Sequence, residues 1–147
     1  MKMKRHSILI ISIFGLILSF ACETGSNKTS LETGILKGQV TIGPLCPVEP
    51  CNLTPEQIAT IYKARKVIIY EKSSLNKIVE LQLNAEGKYS IELNTGSYIV
   101  DVSDANGNAL PLDLSQRPQF GNALPQEAEI FSDQTTISDF DIDTGIR

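Results

Sequence analysis

Between Asn84 and Val102 apolar and polar side chains alternate: Tyr89, Ile91 and Leu93 against Lys88, Ser90 and Glu92, then, after Asn94-Thr95-Gly96, Tyr98, Val100 and Val102. A period of two marks a strand with one buried face, and two such runs around a short turn predict a β-hairpin. That face needs a second layer to bury it, so the expected architecture is a β-sandwich organised around this stretch.

The remaining strands follow from the same patterning. Residues 35–42 place Leu36, Val40 and Ile42 on one face and Lys37, Gln39 and Thr41 on the other, with Gly38 letting a neighbouring group come close. Leu53-Thr-Pro-Glu-Gln-Ile58 is a helix start: Thr54 as N-cap, Pro55 in the first helical position, Gln57 completing a capping box and Leu53 stapling to Ile58. Ile58, Ile61 and Tyr62 form an apolar stripe that docks this helix on the sandwich. Val67-Ile-Ile-Tyr70 does not alternate, so its strand needs cover on both faces, and the preceding helix is the nearest candidate for the outer one. Residues 78–83 are expected to pair with the hairpin across residues 84–88. The chain closes with strands over 127–131 and 135–142, with Phe140 and Ile142 facing in.

Ahead of the sandwich, Lys2, Lys4 and Arg5 precede an apolar run from Ile8 to Leu18 and the small-residue stretch Leu18-Ser-Phe-Ala-Cys22. This is the layout of an export signal, with an apolar run short for a membrane span. A cleavage site ending in cysteine resembles the lipobox of bacterial lipoproteins, which implies that Cys22 is the lipid attachment residue and that the signal covers residues 1–21. The alternatives are an ordinary secretory peptide cleaved after Ala21 and an uncleaved anchor; all three leave the domain extracytoplasmic. Residues 22–33, with Leu31 as the one large apolar side chain, read as a flexible tether, and residues 34–147 as a single domain.

Loss of residues 1–21 removes three basic side chains and the only histidine, His6, leaving ten basic against seventeen acidic residues, a net charge of −7. Such a surface repels nucleic acid, and an anionic membrane would be reached through the lipid and not through charge. Without histidine the usual general base and the commonest metal ligand are gone, and no cofactor or metal is expected. Cys46 and Cys51 remain as an even pair, read as a structural disulfide that contributes about 2 kcal/mol for so short a ring. Four intervening residues with two prolines do not resemble the C-x-x-C of redox enzymes.

Residues 109–126 are the least regular part. Leu110, Leu112 and Leu114 alternate as in a short edge strand, while Arg117 and Phe120 are residue types that anchor interfaces. The stretch is therefore either a recognition loop or a lid over the open end of the sandwich. Asp104, Asn106 and Asn108 imitate the start of a calcium loop, but Ala109 stands where its glycine belongs, so they read as turn residues. Asp139, Asp141 and Asp143 form an acidic stripe that either keeps an exposed strand soluble and unpaired with neighbours or offers oxygens to a hard cation.

A first strand with Gly38 and Val40, then Asn84-Ala-Glu-Gly87-Lys-Tyr89, then Leu93-Asn-Thr-Gly96-Ser-Tyr98-Ile-Val100 resemble the carboxypeptidase-regulatory-like, transthyretin-like domains. The resemblance implies an all-β, seven-stranded Greek-key sandwich with one short helix between its first two strands. Two functional relatives fail on residues. Hydroxyisourate hydrolases of similar fold use histidines and a C-terminal Tyr-Arg-Gly-Ser, whereas this chain ends Thr144-Gly-Ile-Arg147. Cna-B domains cross-link a buried lysine, whereas Lys37 and Asp139 fall on polar faces. The expectation is a non-catalytic, lipid-anchored binding or structural module of the bacterial envelope, contacting the membrane through its lipid and an envelope protein or glycan as ligand. The alternatives are an accessory subunit of a larger complex and an enzyme built on carboxylates such as Asp101, Asp104 and Asp113.

Overall fold

The computed structural model describes residues 31–48, 50–118 and 121–147, so the expected signal, Cys22 and most of the tether lie outside it. Two four-stranded sheets pack face to face. The first contains β1 (Thr33–Gly43) flanked by β4 (Lys88–Asn94) and, on the other side, by β7 (Thr135–Ile137) and then β8 (Phe140–Asp143). The second runs in the order β3 (Lys77–Gln82), β2 (Lys66–Glu71), β5 (Gly96–Val102) and β6 (Gln126–Ile130). With α1 (Pro55–Lys63) between β1 and β2, this is an all-β sandwich carrying one short helix.

Among the described residues there are eight strands, not the expected seven, because the final strand is interrupted. Register is unchanged across the break: Ile35 stands opposite Thr135 and Val40 opposite Phe140, both parallel. At the interruption the Gln39 N–H donates to Asp139 Oδ1 at 2.8 Å, where a regular ladder would offer a carbonyl. The Ser138 carbonyl accepts from the Tyr89 hydroxyl at 2.5 Å. A Cβ on Gly38 would stand 1.8 Å from that carbonyl oxygen, so the close approach expected at this glycine is made by the Ser138 backbone.

The expected hairpin is not one. β4 pairs with β1, and β5 pairs with β2 and β6, so Asn94-Thr95-Gly96 arches from one sheet to the other. The Thr95 N–H donates to Glu32 O at 2.8 Å and the Tyr98 hydroxyl to Asn94 O at 2.9 Å, which hold the arch closed. Tyr89 and Leu93 therefore face Val100 and Val102 across the core, an arrangement that gives the same alternation as a hairpin. β3 likewise pairs with β2 and not with β4, and residues 84–87 form a second arch. Its Asn84 Oδ1 accepts from the Glu86 and Lys88 N–H groups, and Gly87 takes φ +77°.

The core joins Leu36, Val40, Phe140 and Ile142 of the first sheet to Val67, Ile69, Val100 and Ile130 of the second. α1 begins as expected, with Gln57 N donating to Thr54 Oγ1 at 3.3 Å and Thr54 N to Gln57 Oε1 at 2.8 Å. Ile61 and Tyr62 pack on the core cluster, and the Tyr62 ring lies against Gly87, where a Cβ would come within 2.6 Å of its Cε1. The helix is thus placed beside the 84–87 arch and is not the cover for β2. Ile68 and Tyr70, on the face of β2 away from the core, are nonetheless buried. Ile68 stands opposite Asp101 of β5, and the segment that reaches Asp101 from outside is the loop between β5 and β6.

Candidate functional site

Residues 103–125 connect β5 to β6 across the outer face of the second sheet. The alternating leucines do not form a strand: Leu114 opens a 3-10 turn (Leu114–Gln116) and is exposed, while Leu110 and Leu112 are half-buried. Asp113 caps this turn, its Oδ1 accepting from Ser115 N at 3.0 Å, and the Ser115 hydroxyl and N–H hold its carboxyl below the usual range.

Arg117 turns inward from the loop, its side chain 3% exposed. One terminal nitrogen donates to Asp101 Oδ2, the other to Ala123 O at 2.6 Å, and Nε donates to Pro111 O at 2.7 Å. One guanidinium thus ties two points of the loop to the sheet beneath. Asp101 is sealed from solvent, and its Oδ1 accepts from the Val102 N–H at 2.8 Å. Burial pushes its carboxyl above the usual range, opposed by Arg117 and by that N–H. A carboxylate so enclosed holds the loop and offers no oxygen to a substrate. Phe120, the other expected anchor, lies outside the described residues.

The second fastening was not read from the sequence. Arg65, between α1 and β2, is 4% exposed and donates to Ser103 O at 2.9 Å and Gly121 O at 3.0 Å, clamping the start of the loop to a point near its end. Burial pulls its guanidinium below the usual range, with Asp104 acting the other way. Asp104 accepts from the Asn106 and Asn108 N–H groups, both at 2.8 Å, so the calcium-like triplet is a self-contained turn. Burial raises the Asp104 carboxyl, but the Asn108 and Asn106 bonds and Arg65 outweigh it and the net shift is downward. Arg65 lines a cleft of about 700 Å³ whose apolar walls come from Ile42, Leu45, Ile61, Leu110 and Ile146.

The Cys46–Cys51 disulfide is present, with its Cα atoms 5.7 Å apart, on the connection from β1 to α1. Asp101, Asp104 and Asp113 are each engaged locally and form no shared site. The acidic stripe is divided in the same way, Asp139 accepting from Gln39 and Asp143 pairing with Arg147 at 2.6 Å. Lys37 and Asp139 are both exposed, as their polar faces imply.

No protein-family model matches the chain, and no curated protein matches it. Among solved structures it is similar to a DUF3823 family protein from Parabacteroides merdae, with 15% identity over 77% of this chain and 47% of that one and a TM-score of 0.47. GBS52, the minor pilin of the Gram-positive pathogen Streptococcus agalactiae, gives 12% identity over 78% and 45% and a TM-score of 0.45. The Bacillus anthracis TIE protein gives 14% identity over 75% and 17% and a TM-score of 0.42. The chain spans less than half the length of each of these, and likenesses at such scores decide nothing about activity.

Proposed function

We propose that this chain is a non-catalytic binding or structural module, a transthyretin-like sandwich held outside the cytoplasm by a lipid on Cys22. The observation that carries the reading is the use made of the buried ionisable groups. Asp101, Arg117 and Arg65 are all engaged in fastening one surface loop, and every buried side-chain polar atom among the described residues has a partner. An active site gathers such groups around a place where a reacting atom can sit; here Asp101, Arg117 and Arg65 are spent on the backbone of one loop and rigidify a surface, which lowers the entropic cost of recognition. The Cys46–Cys51 bond supports an oxidising compartment.

The test is the intact mass of the protein from membranes of its native host, with and without reduction. A chain starting at Cys22 with added acyl mass and a gain of about 2 Da on reduction is the expected result. A chain that retains residues 1–21, or one cleaved without acylation, removes the lipid anchor.

A further inference from the structure

Three exposed apolar side chains stand on three different segments at one end of the sandwich. Leu31 precedes β1, Leu75 lies in the turn between β2 and β3, and Phe131 lies in the turn between β6 and β7; they are 67%, 53% and 52% exposed. Backbone bonds tie these segments into one end: the Asp133 N–H donates to Thr33 O at 2.8 Å, the Thr95 N–H to Glu32 O at 2.8 Å and the Lys72 N–H to Ser97 O at 3.1 Å. A lone exposed leucine needs no explanation, but Leu75 does. It takes φ +56°, a left-handed conformation that glycine or asparagine adopts at less cost. The turn is fixed in that shape by the Leu75 N–H on Glu71 O at 2.8 Å and by the Ser74 hydroxyl on the Glu71 carboxylate. A leucine there serves neither the backbone nor the core, which points its use outside the molecule.

What covers this end follows from where the chain enters it. β1 begins at Thr33, eleven residues after Cys22, which is at most about 40 Å of extended chain. β1 itself carries the chain about 35 Å from this end toward the α1 end. A lipid on Cys22 therefore holds Leu31, Leu75 and Phe131 beside a bilayer and α1 away from it. We propose that this end of the sandwich docks on the bilayer surface, with Leu31, Leu75 and Phe131 entering the boundary between headgroups and acyl chains. This rests on the lipid-anchored reading and adds the orientation of the domain. The anchor already supplies the local concentration, so three side chains set a direction without having to hold the protein on the membrane. Glu32, Glu71, Glu92 and Asp133 are exposed around them, and the cation among them, Lys72, pairs with Glu127 at 2.6 Å. The end thus repels anionic headgroups and suits a zwitterionic surface.

The chain contains no tryptophan, so a single one reports on its own surroundings. F131W and L75W at the docked end, and V48W on the connection to α1 where Val48 is 75% exposed, are made in the full protein and placed in phosphatidylcholine nanodiscs with brominated acyl chains. Intact mass of the same samples establishes acylation. Bromine is expected to quench F131W and L75W at least about threefold more than V48W, since only the first two reach acyl chains. Adding Leu75→Glu to F131W is expected to reduce that quenching, and at so exposed a position the fold is kept. Phosphatidylglycerol at low salt is expected to weaken the quenching of F131W and added salt to restore it; no response to phosphatidylglycerol overturns the headgroup preference. Acylated protein in which all three tryptophans are quenched alike, or none is, overturns the docked end and leaves the anchor in place. Unquenched F131W in a protein that sediments as a dimer assigns the end to a second copy instead. An unacylated chain removes anchor and docking together.

Discussion

Arg65 and Arg117 hold the same loop by the same means, guanidinium N–H groups on loop carbonyls, yet only Arg117 meets a carboxylate. The Arg117 side is closed: Asp101 has no exposure, and the pair lies between the sheet and the loop. The Arg65 side opens on a cleft lined by aliphatic side chains and by Asp104 and Asn106. A paired guanidinium in a sealed place acts as a fastener, and its geometry is complete without a partner. Arg65 feels the charge of Asp104 without a hydrogen bond to it and is held by two carbonyls alone.

Breaking the closed side should have the largest effect. Asp101→Ala or Arg117→Ala each leaves one buried charge alone and should lower stability by about 3–5 kcal/mol, whereas the double variant D101L/R117M should recover most of that loss or exceed the parent. Urea denaturation of the four proteins reads this directly; additive losses would mean that the two side chains do not act as a pair. Arg65→Met comes next. It strands the Ser103 and Gly121 carbonyls but no carboxylate, so a loss of about 1–3 kcal/mol is expected, smaller than for R117A. Equal losses would erase the distinction between the two sites.

Acid titration sharpens the contrast with the smallest effect. Asp104 has its carboxyl lowered from 3.8, so its contribution is present above that value and is lost as pH falls through its folded value. Asp101 is raised from 3.8, so its contribution has the opposite sign, full below 3.8 and lost as pH rises through its folded value. Between pH 7 and pH 3, D104N should lose less stability than the parent and D101N more. Parallel curves for the three proteins would contradict both assignments.

The elements themselves were legible. Thr54, Pro55 and Gln57 fixed the helix start, and the period of two marked the strands, because both signals are local. Pairing was not legible at the two arches. Tyr89 and Val100 point into the core whether β4 and β5 sit side by side or face each other, so alternation carries no information about which sheet a strand joins. The cover over β2 was misassigned for a related reason: the need for cover at Ile68 was readable, but the loop that provides it is attached through Arg117, a residue type equally at home at an interface. One signal was available. Asp101 sits in a strand whose neighbour is apolar on both faces, and a carboxylate on a covered face demands a cation. Arg65 carried no such mark, since nothing in Ala64-Arg65-Lys66 separates a clamp from an ordinary surface arginine.

The parallel pairing of β1 with β7 and β8 has a mechanical consequence. β1 begins at Thr33, where the segment from residues 22–32 arrives, and β8 leaves the sheet at Asp143, beside the cleft wall at Thr144 and Ile146. Tension entering at Thr33 and leaving past Asp143 would pull two parallel neighbours in opposite directions along their length. Their backbone bonds would then be loaded together, in shear, and not one at a time as when a hairpin is peeled open. A domain wired in this way resists extension along the direction of β1 and β8 better than peeling across them.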